Sequence, residues 1–160
     1  MVKNVELNFE LTPFTYAVLS QELEDGELVT YVLEETQEYI MSTTPTKIIE
    51  QACKYYGSSL KGRVEGTKEV SEFIYKPPIA INPSTGMFFF PTSSPRLKTC
   101  SWIAHSHILI LHPKEDQRIT EIVFKNGRKV IVPVSYGSIT NQLQRTAQFR
   151  YELEKRLSSD

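Results

Sequence analysis

Three groups of residues in this 160-residue chain are of types and spacings that could do chemistry. The first is His105-x-His107. On a strand these rings would share a face about 6.5–7 Å apart, which suits a metal pair. The same parity turns Cys100 to the other face, and Asp116 is the one aspartate near enough in sequence to add a third ligand. A metal-dependent hydrolase built on His105 and His107 is therefore an alternative reading that lacks a credible third donor. The second group is Ser58-Ser59 with Gly57, Gly62 and Gly66. This is neither a Gly-x-Ser-x-Gly nucleophile elbow nor a phosphate-binding glycine fingerprint. Cys53 falls among apolar neighbours on a helix, where a thiol packs rather than reacts. No catalytic carboxylate pair is legible, so no enzyme is expected. The third group mixes Lys54, Lys61, Arg63, Lys68, Lys76, Arg96 and Lys98 with Ser58, Ser59, Thr67, Thr92, Ser93 and Ser94. Cations interspersed with small hydroxyl donors are what phosphate contacts use.

These residues must be positioned by strands and two helices. Tyr16–Leu23 and Leu28–Leu33 alternate around Asp25-Gly26, a favoured hairpin turn, and Glu38–Met41 adds a short strand. Thr44 and Pro45 then open a helix over about 45–56, which Gly57 stops. Residues 57–68 read as a glycine-rich loop or loosely paired hairpin. Lys76, before Pro77-Pro78, is expected to be extended. Ile79–Ile81 and Met87–Phe90 flank another turn, and 91–99 reads as irregular. Trp102–Leu111 reads as one long buried strand. Asn126-Gly127 joins Ile119–Phe124 to Lys129–Val132 by a two-residue turn that would set Lys125 against Arg128. A long amphipathic helix over about 138–158 follows, with Phe149 and Tyr151 as apolar candidates for an interface. The expected fold is α+β, with strand-rich antiparallel sheets, a short central helix and a long C-terminal one, in a single domain spanning 1–160.

Composition narrows the function. Apolar residues make up 40% and charged residues 23%, values of an ordinary globular chain rather than a disordered one. No apolar run approaches the length of a membrane span and the N-terminus lacks a signal-like core, so a cytoplasmic location is expected. Charge is divided unevenly. Residues 1–50 hold ten acids against two lysines, a net of −8, whereas 51–160 hold nine acids against sixteen cations, a net of +7. The acidic part, about 1–43, could itself be the working surface of a protein-interaction regulator. The basic part, 44–160, suits a polyanion.

Several motifs point further. Cys53-Lys54-Tyr55-Tyr56-Gly57-Ser58-Ser59-x-x-Gly62-Arg63-x-x-Gly66-Thr67, Lys76-Pro77-Pro78-Ile79, Phe88-x-Phe90-Pro91-Thr92, Cys100-x-Trp102-Ile103-x-His105-x-His107 and Asn141-Gln142-x-x-Arg145-Thr146-Ala147 together resemble the ComK family of competence transcription factors. The resemblance covers about residues 44–150. It implies an activator of DNA-uptake genes that recognises paired AT-rich boxes in double-stranded DNA, largely through the minor groove, as dimers that pair on the promoter. It implies no cofactor, and it adds RNA polymerase and a proteolytic adaptor as partners. Family chains commonly continue past the long helix, whereas this sequence stops at Asp160, a departure that bears on the adaptor. The expected DNA-binding residues are Ser58, Ser59, Lys61, Arg63, Thr67, Lys76, Arg96 and Lys98. Arg63, on a glycine-flanked loop, would enter a narrow AT-rich groove, where a guanidinium sheds water more readily than an ammonium. Its sequence neighbours Glu65 and Glu69 are the ordinary alternative partners.

Overall fold

The computed structural model describes residues 2–4 and 10–158. Strands β1 (Val2–Asn4), β2 (Thr15–Glu22), β3 (Leu28–Glu34) and β4 (Glu38–Met41) lead into helices α1 (Pro45–Tyr55) and α2 (Leu60–Ser71). Strands β5 (Ile79–Asn82), β6 (Met87–Pro91) and β7 (Trp102–Ala104) follow, then β8 (Ile108–Lys114), β9 (Ile119–Phe124), β10 (Lys129–Val132) and helix α3 (Tyr136–Leu157). One sheet has seven strands in the order β1-β4-β3-β2-β7-β6-β5, antiparallel except for the β1–β4 pair. The other has three, β10-β9-β8, all antiparallel. The α+β expectation and the long C-terminal helix are both met.

The period of two along the strands separates two cores. Val18, Val32, Phe89 and Trp102 face one way and pack with Ile48, Ile49, Ala52 and Cys53 of α1. Leu33, Phe90 and Ile103 face the other way and meet Ile122, Phe124 and Val132 of the small sheet and Ile139 of α3. Strands buried on both faces lose their polar alternation, which is why β6 reads Met-Phe-Phe-Phe. A third cluster joins Ala80 and Phe88 to Phe149, with Val70, Phe73 and Leu153 around them. Phe149 is thus core, its ring edge-on to Phe88 at 5.8 Å, and is no candidate for an interface, whereas Tyr151 is exposed.

Residues 60–71 are helical, not a loop. Ser59 caps α2 by accepting from Gly62 N at 2.9 Å, and Leu60 and Val64, one turn apart, pack on the α1 core. The span Trp102–Leu111 is interrupted: a 3₁₀ turn at His105–His107 separates β7 from β8. The Asn126-Gly127 turn holds three residues. Phe124 N donates to Arg128 O at 2.8 Å, so Lys125 does not face Arg128, and Gly127 takes the left-handed φ of 91° that closes such a loop. Lys76 is left-handed at φ 47°, not extended. Helix α3 begins two residues earlier than expected, because Ser135 caps it through Ser138 N.

Candidate nucleic-acid interface

Helix α2 carries four of the eight expected DNA-binding residues, counting its cap, and Ser58 lies just before it. Lys61 is exposed and lines a groove between α1 and α2 with Lys54, Lys68, Glu50 and Glu65. Ser59 is spent on the helix cap. Thr67 is fully buried, and its hydroxyl donates to Pro78 O at 2.6 Å, which leaves no surface for a phosphate. Arg63 lies on the helix, half-buried, with Nη2 donating to Ile81 O at 3.4 Å and Nε buried. The glycine-flanked loop that would have presented it to a groove does not exist. The bond to β5 also takes the place of an ion pair with Glu65 or Glu69.

Lys76 follows the end of α2 on a turn bound to α3. Gln142 Nε2 donates to Lys76 O at 2.9 Å, Arg145 Nη2 donates to Tyr75 O at 2.6 Å, and the Arg145 guanidinium sits 4.6 Å over the Phe73 ring. Glu72 and Lys76 both have positive φ, so the turn is strained and held by these contacts. It leaves Ile74 and Tyr75 62% and 81% exposed, a pair that sequence reasoning missed. The run Ile-Tyr-Lys-Pro-Pro was its signal, because Pro77 and Pro78 cannot extend a helix or donate to a ladder.

Arg96 and Lys98 are exposed on the loop between β6 and β7. That loop is fastened to the start of α1, where Thr46 Oγ1 donates to Pro95 O at 3.3 Å and accepts from the Trp102 indole at 3.0 Å. Ser58 and Lys61 stand past the far end of α1, a helix of 11 residues and hence about 16 Å long. Apart from Lys76, the accessible candidates therefore form two groups, Ser58 with Lys61 and Arg96 with Lys98, at opposite ends of one short helix. The two halves of the charge distribution also meet: Arg128 Nη1 is 3.1 Å from Glu38 Oε1. The acids Glu22, Glu24, Asp25 and Glu27 are exposed around the β2–β3 turn.

The histidines part company. His107 Nε2 is 2.6 Å from Pro13 O and its ring stacks on Tyr16 at 4.5 Å, so it serves as a packed and hydrogen-bonded ring. Among the described residues no three His, Cys, Asp or Glu side chains converge as a metal site. Burial pushes the Cys53 thiol up to about 11 against the opposing pull of Arg63, and Cys100 is raised by burial as well. No helix among the described residues is long and apolar enough to cross a membrane.

Fold and surface together define an α+β protein whose candidate cations Lys61, Lys76, Arg96 and Lys98 sit on α2 and on two loops. The chain belongs to the ComK family, whose profile, described as "ComK protein", matches residues 6–158. It is 36% identical over 150 residues to the Competence transcription factor of Bacillus subtilis (strain 168), an alignment covering 94% of this chain and 77% of that relative. No solved structure matches it.

Proposed function

We propose that this chain is a DNA-binding transcriptional activator of competence genes, acting on double-stranded DNA as a dimer and selecting paired AT-rich boxes largely through the minor groove. The observation that carries the reading is its likeness, over nearly all of its length, to a protein named as a competence transcription factor. The accessible cations and hydroxyls support it. Lys61 and Ser58 at one end of α1, and Arg96 and Lys98 at the other, hold phosphates, and two anchor points at opposite ends of a helix fix the orientation of a duplex without reading its bases. Lys76 adds a cation beside Tyr75, whose exposed ring offers a face for bases or sugars.

A gel-shift on AT-rich and GC-rich duplexes of equal length tests selectivity, and a salt series tests charge. With six to ten phosphates contacted, affinity falls about 10³–10⁵-fold between about 50 and 200 mM salt. Equal affinity for both duplexes refutes AT selection. A salt-independent titration refutes DNA binding altogether.

A further inference from the structure

His105, Ser106, Ile108, Lys125, Leu143 and Arg150 line a pocket of about 380 Å³ that the interface above does not use. Three separate segments bring its polar groups together: the 3₁₀ turn, the β9–β10 loop and the middle of α3. Arg150 is the fixed member. Its Nη1 donates to Ser106 Oγ at 2.7 Å, its guanidinium lies 4.9 Å over the Phe88 ring, and its Nε faces Glu154 Oε2 at 3.3 Å. Ser106 in turn donates to Gly86 O at 2.7 Å. Gly86 has φ 76°, and a Cβ there would stand 3.1 Å from Arg150 Nη2 and 3.3 Å from Ser106 Oγ. The backbone at Gly86 therefore forms a wall against which the guanidinium is seated.

Lys125 is exposed and has no ion pair among the described residues. His105 has a buried Nδ1 with no hydrogen-bond partner. Burial above all, then Arg150 and Lys125, depress its pKa to about 4, with Glu154 opposing, so the ring is neutral at pH 7. The pocket is thus lined by two permanent cations and a neutral imidazole, with the Ser106 hydroxyl committed to Gly86 O and Arg150, and with the carboxylate of Glu154 beside Arg150. A planar fork beside a mobile ammonium is the donor set that takes a tetrahedral oxyanion.

We infer that this pocket binds a phosphate group, held by Arg150, Lys125 and His105, with Glu154 as the carboxylate that it displaces from Arg150. The inference does not depend on the proposed DNA-binding role. A free phosphate and a phosphodiester of a duplex offer the same chemistry, and the experiment separates them.

Inorganic phosphate is titrated into the full chain at pH 7 and constant ionic strength, and the His105 imidazole nitrogen shifts are followed by NMR. A saturable shift is expected. Lys125→Gln weakens the apparent affinity about tenfold, the scale of one lost charge-assisted contact. Glu154→Gln tightens it severalfold, because the competing carboxylate is gone, and a misfolded variant would not bind more tightly. No saturable shift in the unaltered chain, or two variants that bind phosphate as it does, overturns the inference. A short duplex is then added to the phosphate-loaded protein. Return of the His105 signals to their free positions, or to new ones that persist after phosphate is removed, assigns the pocket to backbone phosphodiesters. Retention of the phosphate-bound signals assigns it to a small phosphate. If no duplex binds, the proposed function fails while the phosphate titration still decides this site.

Discussion

Gln142 and Lys76 are 66 residues apart in the chain, yet the Gln142 side-chain amide donates to Lys76 O at 2.9 Å and to Pro91 O at the same distance. One buried amide on α3 thereby ties the turn after α2 to the end of β6. Thr146, a turn later, returns its own hydroxyl to Gln142 O at 2.7 Å. The Gln-x-x-Arg-Thr run is thus explained as bracing for the Ile74–Lys76 turn.

Replacing Gln142 by Leu takes this donor from the buried Pro91 carbonyl and from the part-buried Lys76 carbonyl. A loss of about 1–3 kcal/mol per unmet group is the expected scale, read by urea denaturation. Asn141→Ala, one residue earlier and exposed, is expected to stay within about 0.5 kcal/mol. Equal effects of the two would refute the bracing role.

Lys61→Ala should weaken AT-rich and GC-rich duplexes alike and lower the salt slope by about one, as loss of a phosphate contact does. Arg63→Lys should behave differently. It loses the bond to Ile81 O, lowering the melting temperature, while the ratio of AT-rich to GC-rich affinity stays unchanged. A changed ratio would restore Arg63 to the base-reading role that its sequence context suggested.

How far these elements were legible depended on which force set them. The alternating strands, the Thr44-Pro45 helix start and the amphipathic α3 are local patterns, and they emerge as expected. Helix α2 is not local in that sense. Gly62 and Gly66 each cost about 1 kcal/mol in a helix interior, and the helix exists because Leu60 and Val64 bury on α1 and Thr67 bonds to Pro78. The break at His105–His107 answers to Ser106 and Gly86, 20 residues apart, which no period reveals. Of the expected DNA-binding residues, the exposed cations Lys61, Arg96 and Lys98 could be read from charge. The burial of Thr67 and the seating of Arg63 could not, since both follow from the helix that the glycines concealed.

Gly66 gives a direct test of that account. A Cβ there would meet nothing within 4 Å, so Gly66→Ala should stabilise the protein by about 0.4–1 kcal/mol, seen as a raised melting temperature. A lowered one would mean that 60–71 is not helical.

Acid should destabilise the fold through its histidines. Burial, the largest cause in both, lowers His105 from 6.5 to about 4 and lowers His107 in the same direction. The folded state then binds fewer protons than the unfolded one. Stability from these rings is full above about pH 6.5 and is lost as pH falls toward about 4. Glu34, raised by burial, works the other way at the acid end. Thermal melts from about pH 7 to 5 should show a falling midpoint, with a shallower fall in His105→Gln. A flat profile would contradict the buried, neutral imidazoles.

The three-stranded sheet ends on β8, and among the described residues no strand lies beside its outer backbone edge. Leu109 and Ile110 on that strand are 63% and 48% exposed, and only Pro113 interrupts its run of donors. A second chain arriving during refolding can lengthen the ladder there as readily as a native strand would. Recovery of the native fold from urea should therefore fall as protein concentration rises. A charge placed at Leu109, on the open edge, should restore the yield without altering the native melting point by more than a degree or so.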